Sequence, residues 1–240
     1  MSATGVRYTL RTHDQKLVGG VLGELDAREV FSAEPRRTFR WHRGQRHYPG
    51  RYWAATMDSF VGYESRLELS ALLLEDFDPR VMRIASQPFE LIAERAGRPG
   101  SHVPDFMVEY SDSSFAVIDV KPAQRLEKPE IADALGWAGD IIQSRGWKYR
   151  IVSEPDPVLL SNIRFLAGYR RTSQFEERDI RAVETAAHGA RTLGEAFRRG
   201  GAAVGDSAYA RTVVLHLLWI HVLSCDLTQQ LAQHTALETP

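Results

Sequence analysis

Residues 102–110, HVPDFMVEY, and 115–123, FAVIDVKPA, decide how the rest of the chain reads. Both are rich in β-branched and aromatic residues and are separated by the turn-forming SDSS, so they predict adjacent strands. Pro104 cannot donate a ladder hydrogen bond and suits a strand start, which puts Asp105 at the head of the first strand. Asp119 and Lys121 lie two apart and so share one face of the second strand, while Ile118 and Val120 turn to the other, apolar face. An acid and a lysine on one side of a buried strand are costly unless they serve a site. The alternative is a plain ion pair on an edge strand, worth only roughly 0–1 kcal/mol.

Working outward, residues 63–74, YESRLELSALLL, place Leu67, Ala71 and Leu74 on one stripe of a helix predicted to begin at Gly62. Glu64 and Glu68 lie one turn apart at the rim of that stripe, and either can face a neighbouring site. Pro79 ends the helix at Asp78. Short strands are expected in VMRIASQPF and FELIAER, with AGRPGS as a turn. A helix follows over 127–146, stopped by Gly146, then a strand in WKYRIVSE and a helix in PDPVLLSNIRFLAGYR. Helix, strands, helix, strand, helix implies an α/β mixed sheet flanked by helices. Residues 6–12 read as a strand and 21–30 as a short helix.

The flanks differ in character. Residues 35–53, PRRTFRWHRGQRHYPGRYW, carry six arginines among aromatic rings and no acid. Arg36, Arg37, Arg40, Arg43, Arg46 and Arg51 suit a phosphate-tracking surface, with rings for stacking. They equally suit a solvated basic loop anchored by its rings. Beyond Arg171, three short helices are expected over 175–190, 192–201 and 207–222, with a Thr192/Glu195 capping box, a close at Gly200-Gly201 and a short strand in LSCDLTQQL. That order suggests a small winged-helix-like domain whose apolar third helix favours protein contact over base reading. The expected domains are 1–54, a basic-aromatic extension, 55–171, the α/β domain, and 172–240. A net charge of −1 excludes a general nucleic-acid polycation. The single Cys225 excludes an internal disulfide, and with no apolar run of membrane length the expectation is a cytoplasmic protein.

The acid, second acid, apolar residue and lysine of Asp105, Asp119, Val120 and Lys121 resemble the metal-dependent nucleases of the PD-(D/E)xK kind. More narrowly, ESRLELSALLLEDFDPRVMRIASQPF, HVPDFMV and VIDVKPA resemble the TnsA-type endonuclease subunit of heteromeric transposases over roughly residues 55–170. The resemblance implies a restriction-endonuclease-like fold that hydrolyses phosphodiesters of double-stranded DNA at the 5′ ends of a transposon. It also implies an integrase-like (TnsB-type) transposase and an AAA+ (TnsC-type) ATPase regulator as partners. Carried over by position, Glu68 matches the helix acid, Asp105 the central metal ligand and Lys121 the catalytic lysine. Asp119 stands where some members have Gln. The implied site binds Mg²⁺, with Mn²⁺ as substitute, through Glu68, Asp105, Asp119 and the Val120 carbonyl, all oxygen donors. Lys121 would orient or deprotonate the attacking water. Gln87 and Gln124 are candidate DNA contacts. A stand-alone restriction or repair nuclease, or a non-catalytic scaffold, are the rival readings.

Overall fold

In the computed structural model, residues 5–37 and 48–238 are described. Arg40, Arg43 and Arg46 of the basic-aromatic segment lie outside them. The chain divides into two units, Met1–Glu154 and Pro155–Pro240. The expected boundaries at 54/55 and 171/172 differ from this division. The helix after residue 155 groups with the C-terminal unit, and the N-terminal extension groups with the sheets.

In the N-terminal unit, β1 (Arg7–Arg11) and β2 (Leu17–Val21) form a hairpin. A 3-10 turn, Leu22–Glu24, and α1 (Ala27–Val30) replace the single helix expected over 21–30. β1 continues antiparallel onto β6 (Glu90–Arg95), which pairs with β7 (Arg98–His102), giving the order β2-β1-β6-β7. The expected AGRPGS turn is in fact two residues long. Ala96 (φ 52°) and Gly97 (φ 75°) both adopt left-handed backbone, the tight hairpin geometry whose twist matches the strands. Pro99 is tolerated because β7 is an edge strand.

A second sheet has the order β10-β9-β8-β5. Here β5 (Val81–Ser86) and β8 (Phe106–Tyr110) pair antiparallel, as do β8 and β9 (Phe115–Val120). β9 and β10 (Lys148–Val152) run parallel, joined by α3 (Ala123–Leu126) and α4 (Pro129–Ser144). β9 is buried on both faces from Ala116 to Val120, the burial expected of a central strand covered on each side. Phe89, Leu91, Met107, Val117, Ile141, Ile142 and Trp147 share one core with Val6, Leu10 and Leu22.

β3 (Gly50–Ala54) and β4 (Ser59–Tyr63) form a separate hairpin. Gly62 therefore belongs to a strand, and α2 (Arg66–Phe77) starts four residues later than the sequence predicts. The cause is a capping box: Ser65 Oγ accepts from the Glu68 N–H, and Glu68 reaches back to the Glu64 N–H. The far end of α2 is tied to this hairpin by Asp76. Its buried carboxylate accepts from the Tyr52 hydroxyl (2.6 Å), the Ala55 and Thr56 amides (3.1 and 2.9 Å) and the Thr56 hydroxyl (2.7 Å).

The C-terminal unit holds α5 (Pro157–Leu166), α6 (Glu177–Ala187), α7 (Leu193–Val204) and α8 (Ser207–Trp219). The Thr192/Glu195 cap is present. Gly200 and Gly201 do not close α7. They sit buried inside it, where a Cβ on Gly201 would come 2.8 Å from Ser207 Oγ, and Gly205 (φ 77°) is the terminator. The strand expected in 223–231 is not formed. Among the described residues this unit has only two single bridges, Thr192 with Ala236 and Ser224 with Glu238, so it is a helical unit without a paired wing and the winged-helix-like expectation is not confirmed. Part of this segment is held by the Asn162 side chain, which donates to the Leu227 and Gln229 carbonyls (2.9 and 2.7 Å). Among the described residues no helix is long and apolar enough to cross a membrane.

Candidate active site

Asp105 precedes β8, and its own backbone is fixed on both sides. Its N–H donates to the Ile118 carbonyl (3.1 Å), and its carbonyl accepts from the Gln87 N–H (2.8 Å). Beyond this point the side chain takes over from the ladder: Asp105 Oδ2 accepts from the Val120 N–H (2.6 Å). The same oxygen accepts from Lys121 Nζ (3.0 Å). Lys121 follows directly on β9, its N–H bonded to the Val152 carbonyl (2.9 Å) and its carbonyl to Ser153 Oγ (2.8 Å). Its ammonium also donates to the Val120 carbonyl (3.0 Å) and stands 3.8 Å from Asp119 Oδ1. Asp105, Asp119, Val120 and Lys121 are thus brought together at the ends of β8 and β9.

Asp119 is fully buried. Its Oδ2 accepts from the Tyr149 hydroxyl (2.6 Å) and from His102 Nε2 (2.8 Å). Its Oδ1 is buried without a hydrogen-bond partner. The sequence does not mark Tyr149 as a site residue. His102, three residues before Asp105, reads from the sequence as a surface histidine in preference to a phosphate contact, whereas its side chain is only 16% exposed and meets Asp119. Burial, and then the Asp119 charge, push the Tyr149 hydroxyl far above its ordinary range, so it stays a donor.

Glu68 approaches from α2. Ser65 Oγ donates to its Oε1 (2.9 Å) and the Glu64 N–H to its Oε2 (2.7 Å). Burial foremost, opposed by the Glu64 N–H and reinforced by the Asp105 charge, raises this carboxyl to about 7. Asp105 is also raised, by burial first and against the pull of Lys121. Both directions are those of acids sharing a confined site. Both Glu68 oxygens are engaged in the helix cap. Among the described residues no group of three or more His, Cys, Asp or Glu side chains is gathered to hold a metal.

The donor set nevertheless suits a hard cation. The Lys121 ammonium is itself a cation in contact with Asp105 Oδ2 and the Val120 carbonyl and faces the orphaned Asp119 Oδ1. A buried carboxylate oxygen with no donor is a position that a cation would satisfy. Asp105, Asp119 and the Val120 carbonyl are the residues that could hold a divalent cation, while the Glu68 oxygens are taken by the helix cap.

Other candidates are placed as follows. Gln87 is buried, with left-handed backbone (φ 44°), an uncommon state for a residue with a side chain. Its side-chain oxygen accepts from the Arg37 N–H (3.0 Å) and its carbonyl from the Arg36 N–H (3.0 Å), so it fixes the start of the basic segment next to Asp105. The Arg36 guanidinium is paired with Glu90 (2.6 Å) and also donates to Thr9 Oγ1. Arg37 is exposed, Arg51 is exposed with its guanidinium 5.2 Å from the Phe60 ring centroid, and Gln124 is exposed on α3 three residues past Lys121.

A mixed sheet flanked by helices, with two acids and a lysine at the ends of adjacent strands, is compatible with a restriction-endonuclease-like core. Residues 78–154 match the family model described as TnsA-like endonuclease N terminal, so this part of the chain is similar to TnsA-type endonucleases. The match includes Asp105, Asp119, Val120 and Lys121, while Glu68 precedes it. No curated protein matches the chain.

Proposed function

We propose that this chain is a Mg²⁺-dependent DNA endonuclease subunit of a heteromeric transposase, hydrolysing phosphodiesters at the 5′ ends of a transposon during excision. The observation that carries the reading is the Asp105–Lys121–Asp119 cluster, with a buried Asp119 oxygen that has no donor. When bound, the cation would polarise the phosphodiester and lower the pKa of a bound water. Asp105 and Asp119 bind and orient. Lys121 supplies a fixed positive charge beside the scissile phosphate and, once released from Asp105, a group able to hold or move a proton of the attacking water. Double-stranded transposon-end DNA is the substrate, with exposed Arg37, Arg51 and Gln124 as candidate contacts. An integrase-like transposase and an AAA+ regulator are the partners. A net charge of −1 implies weak non-specific DNA affinity, so cleavage should depend on the transposase for placement.

Reconstituted excision with transposon-end DNA, the transposase subunit and Mg²⁺ tests this. Wild type should cut the 5′ ends, and Lys121→Ala should not. Cutting by Lys121→Ala at near the wild-type rate would overturn the assignment. Robust specific cutting by the chain alone at physiological salt would favour a stand-alone nuclease.

A further inference from the structure

Two side chains outside the acid–lysine set converge on its most buried member. We propose that Tyr149 and His102 are positioning residues that hold Asp119 by one oxygen and thereby leave the other as the site's free ligand. The inference rests on the metal-dependent reading above and names the residues that set its geometry.

Asp119 has two oxygens and two protein donors, and both donors fall on Oδ2. Sharing the donors between the oxygens would satisfy both, so the crowding of Oδ2 is what leaves Oδ1 bare. The bare oxygen is the one that faces the Lys121 ammonium. A carboxylate with a single well-placed donor can still rotate about its χ2 torsion, which is broad. Two donors on one oxygen, arriving from separate strands, fix that rotation.

The donors are themselves held. Tyr149 lies on β10, where parallel pairing sets it opposite Val117 and sets Ile151 opposite Asp119. It therefore shares a face with Asp119 one strand away. Its ring lies against α4 at Gly139, where a Cβ would come within 2.6 Å of Tyr149 Cδ1 and 2.9 Å of Cε1. Only glycine leaves room for the ring in this position. His102 is the last residue of β7 and belongs to the other sheet, its register fixed opposite Leu91. Asp119 is thus oriented from both sheets at once. This is the arrangement by which outer residues orient a metal-binding carboxylate, and loss of such partners typically costs about 10–100-fold in metal affinity.

Calorimetric titration of Mn²⁺ into the full chain tests the proposal, with thermal unfolding of each metal-free variant as the control for folding. Tyr149→Phe deletes only the hydroxyl, and His102→Leu deletes only the donor. Each should weaken Mn²⁺ binding at least about 10-fold while the metal-free protein still folds and unfolds cooperatively, at a Tm lowered by the lost hydrogen bond. His102→Gln, whose amide can donate from nearly the place of Nε2, should restore affinity to within a few-fold of wild type. That rescue is one a general packing role would not produce. Gly139→Ala should reproduce the Tyr149→Phe loss by displacing the ring. If Tyr149→Phe and His102→Leu bind as wild type while Asp105→Ala does not bind, the positioning roles are wrong and the metal site stands. If wild type itself fails to bind Mn²⁺, with and without duplex DNA, the metal-dependent reading falls and this proposal with it.

Discussion

Replacing Glu68 by Gln should stabilise the metal-free protein above pH 7 and leave it unchanged at pH 4.5. The wild-type carboxyl titrates at about 7 in the folded chain against an ordinary 4.5. Between those values the folded chain keeps a proton that the unfolded chain has released. Stability therefore falls as pH rises through this window, the reverse of the usual salt-bridged acid, and is flat for this group outside it. The pKa difference bounds the cost of charging Glu68 at about 3 kcal/mol. The side chain is only partly buried, and solvent screening reduces the figure to about 1–2 kcal/mol. Gln also serves as the reaching partner of a capping box, so the start of α2 survives the change. For a chain of this size the gain corresponds to about 2–8 °C in Tm. The assay is thermal unfolding of wild type and Glu68→Gln in chelator from pH 4.5 to 8. The two Tm curves should coincide at the acid end and separate upward from pH 5 to 7. Curves that run parallel throughout would refute the reasoning, because they would show that Glu68 carries its charge in the folded protein without penalty.

Asp105→Ala should abolish Mn²⁺ binding in calorimetry, since it removes the carboxylate that already holds the Lys121 ammonium. Lys121→Met should bind Mn²⁺ at least as tightly as wild type yet fail to cleave in the reconstituted reaction, because it removes a competing cation together with the catalytic charge. Asp76→Ala removes the carboxylate that accepts from the Tyr52 and Thr56 hydroxyls and two backbone amides. It should cost about 3 kcal/mol in denaturant unfolding. In the C-terminal unit, Asp206 accepts from the Ala208 and Tyr209 amides to cap α8. Asp206→Ala should cost about 1 kcal/mol in the same assay.

What could be read from the sequence was local. The alternation in FAVIDVK and the donorless Pro104 are properties of neighbouring residues, and they place Asp105, Asp119 and Lys121 at strand ends. Errors arose where tertiary packing overrode local signals. Arg98-Pro99-Gly100 looks like part of a turn, yet a two-residue hairpin turn leaves those residues as an edge strand. Gly200-Gly201 looks like a helix stop, yet close packing at Ser207 requires small residues there. Tyr149 carries no local mark, and the position of His102 three residues before Asp105 does not tell that it meets Asp119. His102 and Tyr149 lie 17 and 30 positions from Asp119, and only sheet pairing brings them to it.

The same pairing explains why the site can be both buried and charged. Asp105, Asp119 and Glu68 put three carboxyls against one ammonium. Each solves its desolvation problem differently. Asp119 takes two hydrogen bonds on one oxygen, Asp105 takes an amide and the ammonium, and Glu68 takes the helix cap and a raised pKa. Only Asp119 Oδ1 is left over. Asp105, Asp119 and the Val120 carbonyl would hold a divalent cation beside that oxygen, and its charge would lower the cost of charging Glu68.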